Sequence, residues 1–312
     1  METPLYYAAR AMVGLVGRMP LTWVARVGRV CGWLAFYVDR SHRRVALENL
    51  QRVFGKLKTG AEIHAIALEN FCRIGETYFS ALRTSHMTPE EATRCCEIVG
   101  IEKLIPKLGA PVLENRVLAI GHFGNFELYT LIASALRGYQ GVTTYRGLAQ
   151  PSLNRVLQHT RNRSGCLFFE RRTDAAKLKA TLNRDGIILG LLADQHAGSG
   201  GLRLPFLGTE CSTSAAPAVF ALRYGCPLFS AVVYRVGLGR WKIEVGSEIP
   251  TQINGVPRPS SEIVLDMNRR FEEAVLRDPA NWFWVHKRWK PRSQPLPERL
   301  DPLAQTIDPL AN

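Results

Sequence analysis

Three histidines in this chain stand five residues before a carboxylate: His64 before Glu69, His86 before Glu91 and His122 before Glu127. Imidazole is the side chain whose ordinary pKa suits general-base work near neutrality. A carboxylate beside it fixes its tautomer and stabilises the imidazolium as it forms. Such a pair carries no nucleophile, so a substrate hydroxyl would supply one. The histidine takes the proton and the alkoxide attacks an activated acyl group.

The elements that must position these pairs separate the three. His64 and Glu69 lie in a helical pattern, where five residues turn the chain through about 500° and the side chains diverge. Thr88, Pro89 and Glu91 read as N-cap, first helical residue and capping-box acid, which accounts for Glu91 without chemistry. His122 and Glu127 belong to RVLAIGHFGNFEL, Arg116–Leu128. Val117 to Ile120 is an apolar run of strand length, and Gly121 breaks it. Asn125 then reads as the N-cap of a helix running from Leu128 to Arg137, with Glu127 in its first turn. A strand-to-helix turn is where an α/β sheet usually places its ligand.

GHFGNFE resembles the H-x4-D/E signature of the lipid A biosynthesis (late) acyltransferases, the Kdo-lipid A lauroyl and myristoyl transferases, whose relatives include the phosphatidylinositol mannoside acyltransferases. Other blocks carry the same resemblance. They are Arg44-Val45-Ala46 with Asn49-Leu50; Tyr145-Arg146, Pro151 and Arg161 with Gly165; Asp194-Gln195 with Pro205 to Gly208; and Trp282 to Trp289. They run in order from about residue 40 to 290. The resemblance implies His122 and Glu127 as the catalytic pair, and Arg146, Arg161, Arg163, Asp194 and Gln195 as substrate-binding residues. It implies an acyl donor on acyl carrier protein or coenzyme A, a glycolipid acceptor such as a lipid A precursor, and no cofactor or metal. A lysophospholipid acceptor, or hydrolysis of the acyl thioester, is the competing activity.

The residue types of these blocks allow plainer roles as well. Arg161 and Arg163 end a helical stretch, where arginine either grips phosphate and carboxylate in bidentate fashion or compensates the helix C-terminus for ~0.3–1 kcal/mol. The resemblance favours Arg161, with Arg163 the nearer alternative. Asp194 follows an apolar strand and suits either orienting a sugar or an arginine, or capping a turn. Gly198, Gly200 and Gly201 make a mobile segment able to close over substrate. Trp282, Trp284 and Trp289 read as packing, and His196 has no assigned role.

Strand candidates at Ile98-Val99, Val117–Ile120, Val142–Tyr145, Cys166–Phe169, Ile187–Leu192, Leu228–Tyr234 and Trp241–Val245 alternate with helices. That alternation argues an α/β layered fold with a largely parallel sheet. The resemblance makes it a glycerol-3-phosphate-acyltransferase-like layered sheet with flanking helices. Three regions follow: 1–40, an N-terminal helical membrane-associating segment; 41–290, the acyltransferase domain; and 291–312, an irregular proline-rich tail.

The formal charge of +13 points to an anionic partner. No zinc-finger spacing or RNP-like motif supports nucleic acid. Seven cysteines without a C-x-x-C fit a reducing compartment. Residues 3–38 interleave apolar residues with Arg10, Arg18, Arg26 and Arg29, and their charge-free runs fall short of the ~20 residues of a spanning helix. Two helices split at Met19-Pro20 would lie in the membrane interface, with the arginines among anionic headgroups. The expected location is the cytoplasmic face of the bacterial inner membrane, peripheral or monotopic.

Overall fold

The computed structural model describes residues 3–105 and 112–291; the expected tail at 291–312 lies, but for Pro291, outside them. Four long helices come first: α1 Pro4–Val16, α2 Leu21–Val38, α3 Arg40–Phe54 and α4 Gly60–Thr84, then a single turn, α5 Pro89–Ala92. Three of the four long helices start on a side-chain cap, and α2 follows Pro20 without one. Thr3, Asp39 and Thr59 accept backbone N–H bonds as N-caps, and Thr59 with Glu62 closes a reciprocal capping box.

Next come β1 Cys96–Val99, β2 Arg116–Ile120, α6 Thr130–Ser134, β3 Gln140–Tyr145, α7 Pro151–Arg161, β4 Leu167–Glu170, α8 Ala175–Leu182 and β5 Ile187–Leu192. A hairpin of β6 Leu202–Phe206 and β7 Thr209–Thr213 follows, then α9 Ala216–Tyr224, β8 Leu228–Gly237 and β9 Arg240–Val245. The small ribbon of β10 Gln252–Ile253 and β11 Val256–Pro257 precedes α10 Ser260–Arg277.

All seven anticipated strands form one sheet, in the order β1-β9-β8-β2-β5-β3-β4. Every neighbouring pair is parallel except β8 with β9. The hairpin β6–β7 was not anticipated: Pro205 and the Leu207-Gly208 turn hide its alternation. Strand β2 is central and wholly buried. Val117 and Ala119 join one core with α3, α4, α9 and α10, while Leu118 and Ile120 join a second core on the opposite face. Period-two alternation thus feeds two layers from one strand.

The helix expected from Leu128 to Arg137 is shorter and tighter. A 3₁₀ turn spans Phe126–Tyr129 and α6 covers only Thr130–Ser134. Asn125 makes no side-chain cap bond; its amide reaches Thr84 Oγ1 at 3.4 Å instead.

The split at Met19-Pro20 is present, and α2 packs along α4. Glycines permit this approach: a Cβ on Gly75 would stand 2.1 Å from the carbonyl oxygen of Gly28, and one on Gly32 the same distance from that of Phe71. Arg29 does not face headgroups. It pairs with Glu69 at 2.7 Å and with the buried Glu76 at 3.4 Å. Among the described residues no helix is long and apolar enough to cross a membrane.

We predict that Gly75→Ala destabilises the protein by ~1–3 kcal/mol, because α2 must move off α4. Gly60→Ala, at a position with open space around its Cβ, should be neutral or stabilising by up to ~1 kcal/mol. Thermal unfolding of the two variants checks this, and equal melting temperatures would show that the α2–α4 contact is slack.

Candidate active site

Parallel register builds the centre of the site. Ile120 on β2 pairs with Leu192 on β5, and each strand runs on two residues, to His122 and to Asp194. The two side chains therefore leave adjacent strand ends together. His122 Nδ1 lies 2.8 Å from Asp194 Oδ1, and the His122 backbone N–H donates to Oδ2 at 2.9 Å. Trp282 Nε1 donates to the same Oδ2 at 2.8 Å.

Asp194 is wholly buried. Burial alone would raise its pKa, but the His122 imidazole and three N–H bonds outweigh that and hold it down to about 2. An ionised carboxylate only accepts hydrogen bonds, so Nδ1 of His122 carries a proton, and in the neutral ring that tautomer leaves the lone pair on Nε2. The imidazole is 17% exposed, and it faces Phe126 and Phe283 at ring separations of 5.1 and 5.9 Å. A narrow cleft of about 20 Å³ lies there, walled also by Ile74, Thr77 and Gly124. Gly121 has to be glycine, because a Cβ would meet the Phe123 ring at 2.6 Å and the Asp194 carboxyl at 3.2 Å. Gly124 takes the left-handed φ of 47° that turns the chain under the cleft.

The other expected site residues fall in different places. Glu127 is not the partner of His122: its carboxylate holds Arg161, with Nη2 at 2.6 Å and Nε at 3.2 Å. The 3₁₀ turn aims it across to the end of α7, whereas the β2–β5 register puts Asp194 under the imidazole. Arg161, expected to meet a phosphate, is thereby committed on one edge and lies over the rings of Phe168 and Tyr145. Asp194 neither meets an arginine nor caps a turn. Gln195 contributes its carbonyl, which accepts from Arg288 at 3.1 Å. Arg146 is exposed on the loop after β3, and Arg163 turns to a separate cavity between α1 and α7. The two discarded pairs are structural. Glu91 closes a capping box with Thr88, and Glu69 binds Arg29 and Arg73 while His64 packs edge-on to Phe36.

Over residues 2–291 the chain matches the family described as bacterial lipid A biosynthesis acyltransferase. The chain belongs to that family. It is also 22% identical over 306 residues to a lipid A biosynthesis lauroyltransferase of Escherichia coli (strain K12), covering 95% of each chain. The protein is an acyltransferase, and its family acts in lipid A biosynthesis.

In this acyltransferase the tryptophan-rich block, read from sequence as packing, supports the site directly. Trp282 bonds Asp194, and Phe283 walls the cleft. Asn70 donates to the carbonyls of Ala280 and Trp282, and Asn49 to those of Trp284 and His286, both at 2.8 Å. Arg288 is fully buried; it donates to the carbonyls of Gln195 and Ser212 and to Thr213 Oγ1. The segment after β5 is thus clamped to the hairpin. His196, without a role in the sequence reading, donates its backbone N–H to His286 Nε2 at 3.0 Å. The sequence signal for Asp194 was present, an acid two residues past an apolar strand, but only strand order shows which strand lies beside it.

Burial, aided by the nearby cations, lowers the His286 pKa from 6.5 to about 4. Between those values the unfolded chain binds a proton that the folded enzyme does not, so stability falls as pH drops from 6.5 towards 4. We predict that His286→Gln, which keeps an acceptor for the His196 N–H, flattens the melting temperature across that window. An unchanged slope would place the pH dependence elsewhere.

Proposed function

We propose that this acyltransferase moves a fatty acyl group from an acyl thioester, on acyl carrier protein or coenzyme A, to a hydroxyl of a glycolipid, specifically a lipid A precursor. The observation that carries the reading is an imidazole whose Nδ1 is held by a buried carboxylate while Nε2 faces an aromatic-walled cleft. In this mechanism Nε2 of His122 takes the proton of the acceptor hydroxyl. The alkoxide oxygen bonds to the thioester carbonyl carbon, and the charge passes to the carbonyl oxygen. Collapse breaks the carbon–sulfur bond, and the thiolate takes the proton back from the imidazolium. The products are an ester and a free thiol.

Asp194 serves as the positioning residue, holding the tautomer and offsetting the imidazolium charge. Glu127 fixes Arg161 on the α7 side of the cleft. Arg161 Nη1 makes no hydrogen bond among the described residues, so it remains for an anionic oxygen of donor or acceptor. Tyr78, Phe126 and Phe283, edge-to-face in turn, form the apolar wall along which an acyl chain would lie.

The reading places the enzyme at the cytoplasmic face of the bacterial inner membrane. Trp23, Val27, Val30, Leu34 and Tyr37 repeat at helical spacing on the exposed face of α2, opposite the buried Val24, Gly28 and Gly32. Leu5, Met12 and Leu15 of α1 are exposed as well. Cationic side chains flank these faces, Arg26 lying over Trp23 at 5.5 Å. An apolar stripe beside basic residues suits an anionic bilayer interface.

We predict that His122→Ala lowers the rate of ester formation by ~10²–10⁴-fold or more, and that Asp194→Asn lowers it by a similar factor because the asparagine amide favours the wrong tautomer. Glu127→Gln should act by freeing Arg161, raising the Michaelis constant more than it lowers turnover. Thin-layer chromatography with labelled acyl thioester and lipid A precursor reads ester against free fatty acid. Normal turnover in His122→Ala would end the mechanism, and free fatty acid as the only product would make the enzyme a hydrolase.

A second expectation concerns the interface. Trp23→Ser with Trp33→Ser and Leu34→Ser should weaken vesicle binding and leave the melting temperature nearly unchanged, since all three side chains are exposed. Removal of residues 1–38 is a poorer test, because α2 is packed on α4 and its loss would expose that face. Undiminished vesicle binding by the triple variant would show that α2 is not the membrane face.

A further inference from the structure

The larger described cavity does not hold His122. It is a space of about 450 Å³ between α1 and α7, and Thr3 and Ser152 join those helices at one end through a 2.6 Å hydrogen bond. Arg10, Arg18, Arg163, His86 and His159 line it, and among the described residues no carboxylate does. A cavity of that volume spans about one Debye length, ~8–10 Å, so the three guanidiniums repel one another across it. Arg10 and Arg18 each spend one Nη1 donor, on Tyr6 Oη and on the Gly14 carbonyl. The remaining donors, and those of Arg163 and His159, have no partner among the described residues. Planar guanidiniums around an open space, without counter-charge among the described residues, fit an anion with several oxygens.

We propose that this cavity binds the phosphate monoester of a membrane-lipid headgroup. Its wall argues for a lipid rather than a soluble anion. Helix α1 turns Tyr6, Arg10, Gly14 and Gly17 towards the cavity, while Leu5, Met12 and Leu15 on its far side are exposed. One helix therefore offers an apolar face and a cationic face one diameter apart, the order of acyl chain and headgroup in a bilayer. The doubly charged monoester is the headgroup form that best matches three guanidiniums. The inference goes beyond the acyl-transfer reading, and a binding measurement without turnover tests it independently.

The full chain is titrated with phosphatidylcholine vesicles doped with phosphatidic acid, and with vesicles of matched surface charge doped with phosphatidylglycerol. Inorganic phosphate alone is titrated calorimetrically. The expected result is tighter binding to phosphatidic acid. The variant Arg10→Gln/Arg18→Gln/Arg163→Gln should lose that preference and bind those vesicles about tenfold or more weakly. Arg52→Gln/Arg223→Gln/Arg240→Gln, exposed and remote from the cavity, should weaken both vesicle types equally and keep the preference. Arg163→Gln alone, with no bond to lose among the described residues, should show a smaller loss in a chain of unchanged melting temperature. No phosphatidic acid preference in the native chain, or a preference that survives the triple variant, overturns the proposal. Phosphate binding abolished by the triple variant, without any vesicle preference, also overturns it and makes the cavity a site for the free anion.

Discussion

Asp194 is the interaction on which the site depends. A carboxylate with no solvent contact is costly to bury, and its pairing with an imidazole adds little net stability. What it supplies is orientation. Its two oxygens take three N–H groups from one neighbouring strand end and one tryptophan: the His122 ring, the His122 backbone and the Trp282 indole. Two separate constraints place these donors. The β2–β5 register sets the first two, and the strap from Ala280 to Trp289 sets the third. A one-residue slip between β2 and β5 would carry Asp194 to the opposite face of the sheet and leave the imidazole without a partner.

The strap is itself held from outside the sheet. Asn70 of α4 and Asn49 of α3 each donate twice to its carbonyls, and Asn281 donates back to the Val233 carbonyl of β8. Unpaired carbonyls in this position would be expensive, because beyond the 3₁₀ turn at Pro279–Asn281 and the bridge from Trp282 to Phe123 the strap has no helix or strand to satisfy its backbone. Two asparagines on neighbouring helices do that work and fix where Trp282 points. Arg288 does the same for the segment that follows Asp194. The centre is rigid because polar groups far apart in sequence close one another's bonds.

Most of this architecture is legible in local pattern. Short apolar runs marked all seven strands of the sheet, and apolar residues at near-helical spacing marked long helices such as α3 and α4. His122 was legible for the same reason: a strand, a glycine and an ionisable side chain stand in that order. Its partner was not. Spacing suggested Glu127 because it is near in sequence, while the imidazole bonds Asp194, seventy-two residues away. Nothing local encodes that β5 lies beside β2 while β3 lies beyond it. The tryptophan block misled in another way. Apolar composition reads as packing, yet one indole N–H and one phenyl ring belong to the site. Arg29 misled because a sequence shows a charge but not the buried glutamates that await it.

Helix α4 joins these features. Its Gly75 lies against Gly28 of α2, and the adjacent Glu76 is buried beneath Arg29 and Arg235. One residue on, Thr77 donates to the carbonyl of Gly124 in the turn that follows His122, and Tyr78 meets Phe126 and Phe283 over the cleft. Four consecutive residues therefore touch the apolar N-terminal pair on one side and the turn that carries His122 on the other. Because the glycine contact leaves no slack, α2 cannot shift without moving α4, and α4 cannot shift without moving the wall of the cleft. A helix pair that only rested on the bilayer would need no such contact. Here the exposed stripe of α2 and the imidazole of His122 are parts of one packed unit, so a displacement of either is transmitted to the other through α4.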